Sequence, residues 1–253
     1  MLSKAKSMLR MPLRAIGYDI IRSNDPVPYF HSDLYLRHNE RRLEHLASLR
    51  IPVADMTVLE VGGGIGDQSH YYLDRGCQIT ITEVRTDNLK RLKHRYPQHN
   101  VLYLNMERPV AIAGSPFDLV HCYGLLYHLS NPEPALEFLS SNCTGMLFLE
   151  TCVSFGDTKE INRVHEDRMT PSQAYSGIGC RPTRPWIWEK LKELFEFAYV
   201  PKTQPNNAEF PLDWTNPEKH RANLSRAVFI ASRHEIDNDQ LCASLILHHT
   251  RHE

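Results

Sequence analysis

The chain has 253 residues, 42% of them hydrophobic and 23% charged, with a formal net charge of -1. That size and composition fit a soluble α/β domain with elaborations and exclude a disordered or collagen-like chain. The near-zero charge supplies no global field for a polyanion, and no apolar run reaches the ~20 residues that a membrane-spanning helix needs.

The first 22 residues alternate Lys4, Lys6, Arg10, Arg14 and Arg22 with Leu2, Met8, Leu9, Met11, Leu13 and Ile16. Charge and Pro12 break the apolar stretch, so it does not read as a signal peptide. Two readings stand: a helix capping the domain, or a basic amphipathic segment in peripheral contact with the anionic inner face of a membrane. After a turn-rich stretch at 23–28, Leu34, Leu36, Leu43, Leu46 and Leu49 recur near helical spacing and predict a helix over 31–49. Residues 1–50 are therefore expected to form an N-terminal helical segment.

Residues 51–233 are expected to form the main domain. Five strands are predicted at 56–61, 77–82, 100–104, 117–122 and 145–153. Helices alternate with them: one ending at Leu73, then 87–96 and 132–139. That rhythm predicts a doubly wound, parallel, Rossmann-like sheet. Residues 154–183 then read as a long polar loop, a kind that is usually functional. A helix is expected over 184–195. Strands at 197–200 and 226–232 are expected to pair like a hairpin around an excursion at 201–225. Residues 234–253 read as a tail, with His248 to His252 a solvated end. The six cysteines and fourteen histidines form no CxxC or HExxH pattern. They predict free thiols in a reducing, cytoplasmic setting and no metal site.

The first strand runs into Glu60-Val61-Gly62-Gly63-Gly64-Ile65-Gly66. Glycines let the backbone turn tightly and approach a ligand closely, and a following helix offers free N–H groups. A dinucleotide fingerprint would need glycine where Asp67 stands, and that carboxylate repels a pyrophosphate. A ligand with a positive centre and no phosphate meets no such objection. Glu83, directly after the second strand, is placed to accept hydrogen bonds from ribose hydroxyls.

These residues resemble the class I S-adenosylmethionine (SAM) dependent methyltransferases over roughly 56–233. The resemblance implies a seven-stranded sheet with a reversed final strand. It implies that Glu60, Gly62, Gly63, Gly64 and Gly66 hold the methionine part of SAM, and that Asn105, Met106 and Glu107 hold the adenine. Many members carry Asp where Asn105 aligns; a shift of two would make Glu107 the contact. Tyr123 opens a loop to Pro132 like that of the family's small-molecule branch, and it joins the cofactor contacts. A similar domain occurs beside genes for sugar and polysaccharide methylation. A fainter likeness, at residues 179–186 and at Asp213-Trp214, is to carboxymethyluridine-forming tRNA enzymes.

Methyl transfer to a hydroxyl needs a base. His128, on the loop beyond the fourth strand, suits that role, and Glu150, ending the fifth strand, is the second catalytic candidate facing the crevice. His121 reads as structural. His165, Glu166, Asp167, Arg168, Tyr175 and Arg181 suit a hydroxylated acceptor or a solvated lid. Trp186 and Trp188 point to different helix faces, so one is expected in the core; Trp214 either stacks on a ring or anchors its excursion. The run from Lys90 to Arg95 reads as a solvated helix face. The expected activity is O-methylation of a sugar or other hydroxylated metabolite, including a surface glycan. The alternatives are a tRNA-modifying enzyme and a non-catalytic SAM-binding partner. A basic crevice mouth at Arg181, Arg184, Lys190, Lys192, Lys202 and Arg221 would mark RNA as the partner.

Overall fold

The computed structural model describes residues 15–16, 25–222 and 224–252, so all but two positions of the basic N-terminal segment lie outside the described residues. Short α1 (Val27–Phe30) leads into α2 (Asp33–Ser48). The core alternates β1 (Thr57–Val61), α3 (His70–Leu73), β2 (Gln78–Glu83), α4 (Thr86–Arg95), β3 (Asn100–Tyr103), β4 (Phe117–Tyr123), α5 (Glu133–Ser141) and β5 (Cys143–Cys152). After it come β6 (Ile161–His165), β7 (Ile178–Pro182), α6 (Arg184–Leu194), β8 (Phe197–Pro201), β9 (Thr203–Gln204), β10 (Arg226–Ser232), β11 (Leu241–Cys242) and β12 (Thr250–Arg251).

The large sheet runs β3-β2-β1-β4-β5-β10-β8-β11. Neighbours from β3 to β5 are parallel, and β10 lies antiparallel between β5 and β8. The predicted seven strands with a reversed last one are therefore present. An eighth, β11, joins the edge antiparallel to β8. Because side chains alternate across a strand, each strand feeds two cores. Leu59, Val120, Leu147 and Leu149 enter one, while Val58, Leu119 and Phe148 enter the other.

Four expectations are corrected. The glycine turn does not lead directly into a long helix: residues 65–69 form turns, and only α3 is helical. The 154–183 segment is not an irregular loop; β6 and β7 form an antiparallel hairpin around residues 166–177. β6 is largely exposed and β7 largely buried, and a ladder from Ile161–Pro182 to His165–Ile178 joins them. The segment 248–252 is only partly solvated. β12 pairs with β9, His249 is buried, and Arg251 donates to the carbonyls of Pro205, Asn207 and Phe210. The end thus straps the 201–225 excursion. Finally, both Trp186 and Trp188 are buried in one apolar cluster, which Leu245 and Ile246 of the tail extend. Trp214 joins that cluster, with the Arg184 guanidinium 4.3 Å from its ring centre, and so anchors its excursion.

The buried face of α2 is also unlike its leucine pattern. Leu34 is 80% exposed, whereas Asn39, Arg42, His45 and Leu46 turn inward. A polar helix face packed inward needs partners, and these partners build part of the site.

Candidate active site

The glycine turn is tied to the end of β2. Gly63 N–H donates to Thr82 O (2.9 Å) and Gly64 N–H to Glu83 Oε2 (3.0 Å). Gly64 has φ 59°, a left-handed conformation that side chains rarely adopt. Gly62, Gly63 and Gly64 all line the cleft above the strand ends.

Gly66 is a correction to the predicted contacts, because it lies outside that lining. Its φ is 84°, a Cβ there would collide with the Tyr96 ring, and its carbonyl accepts from Tyr96 Oη at 2.6 Å. Its smallness seats α4, not a ligand. Gly66→Ala is expected to cost about 2–5 kcal/mol, the sum of backbone strain and overpacking. Thermal denaturation checks this, and an unchanged melting point would refute it.

The cleft has two lobes, and Phe30 and Tyr35 line both. The outer lobe brings together Glu83, Asn105, Met106, Glu107 and His128. Glu83 is buried. It accepts from Gly64 N, from Val84 N (2.7 Å), from Arg85 N (2.8 Å) and from Asn88 Nδ2 (3.3 Å). Burial pushes its carboxyl up, and those four bonds oppose the shift. Glu107 accepts from Ser130 N (2.8 Å) and Oγ (2.7 Å), while Asn105 Oδ1 caps Glu107 N at 3.0 Å. Both predicted alternatives therefore stand at the cleft, and Met106 adds a buried apolar wall.

The inner lobe holds Glu60 and Tyr123 with Asn39, Arg42, Asp67 and Gln68. Burial pushes the Glu60 carboxyl up to about 7, although Ser69 Oγ donates to it at 2.5 Å. Tyr123 Oη and Asp67 Oδ2 are buried, with no hydrogen-bond partner among the described residues. His121, expected to be structural, is buried between Tyr72 Oη (2.8 Å) and Gln68 Oε1 (2.8 Å) and also lines the inner lobe. Sequence reasoning missed Asn39, Arg42, Phe30 and Tyr35. Only an inward polar stripe at i, i+3 spacing on α2 could have pointed to the first two.

Glu150 is corrected as a catalytic candidate. Its side chain is 0% exposed, and its oxygens face Arg42 Nη2 (2.7 Å) and Arg226 Nη1 (3.2 Å). Its carboxylate is held between two guanidiniums, and it lines neither lobe. Its place is beneath the site, where it holds Arg42 against the inner lobe.

His128 sits in a single 3-10 turn, Leu126–His128, after β4. Its Nδ1 is 2.5 Å from Glu166 Oε2. Arg181 Nη2 donates to the other oxygen of Glu166 at 3.0 Å. Glu166 therefore faces His128 rather than an acceptor. Burial lowers the His128 imidazole below its ordinary value, and Glu166 partly restores it. His128 stands at the rim of the outer lobe.

This geometry has known counterparts. A methyltransferase-domain family model matches residues 35–191. No curated protein matches the sequence. Among solved structures, the N-terminal domain of EvdMO1, crystallised with SAH and D-fucose, superposes with TM-score 0.58 and 18% identity over 79% of this chain and 84% of that one. A SAM-dependent methyltransferase from Mesorhizobium loti gives 0.53 and 15%, over 75% of this chain and 98% of that one. The 1,6-didemethyltoxoflavin-N1-methyltransferase of Burkholderia thailandensis, with its substrate and SAH, gives 0.52 and 15%, over 92% and 90%. Such identities speak for the fold; the family match, which extends over more than half of the sequence, goes further, and with it the chain belongs to the SAM-dependent class I methyltransferases.

Proposed function

We propose that the enzyme methylates a hydroxyl of a small polyhydroxylated acceptor, such as a sugar or a glycan terminus, with His128 as the general base. The observation that carries this reading is the His128–Glu166 pair at the rim of the donor cleft. Glu166, a carboxylate, only accepts, so Nδ1 carries the proton and Nε2 holds the lone pair.

The cleft fits SAM by chemistry. Glu60 and Asp67 offer carboxyl oxygens to the methionine ammonium in the inner lobe, where Tyr123 Oη and Asp67 Oδ2 have no partner among the described residues. Glu83 is placed for the ribose and the Asn105–Glu107 turn for the adenine. Bound SAM supplies an electrophilic methyl carbon. The acceptor oxygen forms the new C–O bond as the C–S bond breaks, and His128 Nε2 takes the hydroxyl proton. Glu83→Ala is expected to weaken SAM binding about 10- to 100-fold, the worth of charge-assisted hydrogen bonds. Calorimetry checks this, and unchanged affinity would overturn the assignment of the donor site.

The charges around the cleft favour a small acceptor over tRNA. Arg181 is engaged by Glu166 and Arg184 is buried against Trp214. Lys190 pairs with Glu133 and Glu193, and Lys192 with Glu189. Four of the six cations that would greet a phosphate backbone already have partners. A structural neighbour that was crystallised with D-fucose adds support for a sugar.

The test uses SAM with a labelled methyl group and a lysate separated into glycan, small-molecule, RNA and protein fractions. Label in the glycan or small hydroxylated fraction supports the reading. Label confined to RNA or protein overturns it, and binding without any transfer would point to a non-catalytic partner.

A further inference from the structure

The hairpin insert does more than cover the cleft. Glu166 follows β6, and its N–H donates to Gly177 O at 3.0 Å, which closes the loop 166–177 at its base. Its side chain is 3% exposed. Oε2 receives two donors, His128 Nδ1 (2.5 Å) and Ala174 N–H (2.7 Å), the second from inside that loop. Oε1 receives Arg181 Nη2 from β7. The loop itself reaches across the cleft: Arg85 donates to Arg168 O (3.0 Å) and Gln173 O (2.8 Å), and Ser172 Oγ meets Tyr29 Oη at 2.9 Å. Gln173 and Tyr175 line the outer lobe. The hairpin can press this closely on the 3-10 turn because position 179 is glycine; a Cβ there would stand 2.5 Å from Tyr127 O and 2.7 Å from Glu166 Oε1.

We propose that Glu166 is the positioning residue of this enzyme: it holds His128 in the Nδ1–H tautomer with Nε2 aimed into the cleft, and the oxygen that does so also binds Ala174 N–H of the 166–177 loop. The inference rests on His128 as the base, but its structural content is independent of the acceptor. A histidine without a fixed partner on one nitrogen samples both tautomers. Only one of them leaves a lone pair on Nε2. A base tied to the closed loop takes a proton only when that loop has shut out water, which limits side reactions. The charges facing the ring are Glu166, which favours its protonated form, and Arg181 and Arg226, which oppose it. Tyr127 packs against the ring at 3.9 Å between centroids.

The experiment is long-range 1H–15N NMR of the full chain with labelled histidine, saturated with SAH, with the His128 signal assigned through His128→Asn. The wild type is expected to show His128 as a single Nδ1–H tautomer. In Glu166→Ala the expected result is a mixture of tautomers, with titration moved to lower pH because only the arginines remain. SAH affinity in Glu166→Gln should stay within about threefold, since glutamine still accepts from Ala174 N–H and Glu166 does not line the donor lobe. If the alanine variant does not fold, Glu166→Gln removes the charge at constant shape and should move the titration the same way. A wild-type Nε2–H tautomer would overturn the proposal. So would an unchanged tautomer and titration in the variants, which would leave Glu166 a purely structural part of the loop. Normal methyl transfer by His128→Asn would instead refute the base reading while leaving the tautomer result standing.

Discussion

His128→Asn is expected to lower kcat for methyl transfer about 10²- to 10⁴-fold, the usual contribution of a positioned general base. SAM affinity should remain within about threefold, because the donor contacts rest on the glycine turn, Glu60 and Glu83. Asparagine keeps a polar group toward Glu166 but has no nitrogen that can take the hydroxyl proton. In the wild type the rate should rise with pH along a single acid limb. Burial lowers the imidazole below its ordinary value, so the limb falls below the pH of an exposed histidine, near 6.5. The sign follows from the base role: protonation fills the Nε2 lone pair, so activity is lost as pH falls through the folded-state value. A pH–rate series on the labelled-methyl assay reads both quantities. If His128→Asn retained full kcat, the ring would only pack over the donor.

Glu150→Ala is expected to be the most destabilising single change in this region, by about 3–5 kcal/mol, the cost of breaking a buried ion pair from one side. Arg42 and Arg226 are both nearly fully buried. Arg226 also bonds Glu209 (2.5 Å) and donates to Tyr127 Oη (3.3 Å), but among the described residues Arg42 has Glu150 as its one carboxylate. Removing that carboxylate strands a guanidinium beneath the inner lobe. For a chain of this size the loss corresponds to a melting temperature lower by about 6–20 °C. Glu150→Gln keeps the shape and should lose less. The comparison separates two roles. A structural Glu150 predicts a fall in melting temperature that precedes any fall in turnover. A catalytic Glu150 predicts that Glu150→Gln melts normally and transfers no methyl.

The contrast between these two residues shows what a sequence can and cannot carry. His128 follows β4 and Glu150 stands near the end of β5, and both read as site residues for the same reason. Strand order puts each of them at the correct end of the molecule. Which way the side chain turns, and what meets it, depends on segments far away in the chain: Arg42 from α2 and Arg226 from β10 claim Glu150, while Glu166 from the hairpin claims His128. These pairings are 108, 76 and 38 positions apart, and no local pattern encodes them.

The reversed strand and the SAM site were what the family resemblance implied; the sequence by itself determined the alternation of parallel strands and helices, the glycine turn and the place of Glu83. These follow from strand alternation, from backbone turns that need glycine and from the placement of an acid at a strand end, all of which are local. The tertiary structure alone decided that α2 buries a polar face, that the end of the chain straps the excursion, and that a polar insert is a hairpin. It also decided which carboxylate serves the histidine. In each case the energy comes from pairing buried polar groups across the fold, and pairing is a property of two places at once.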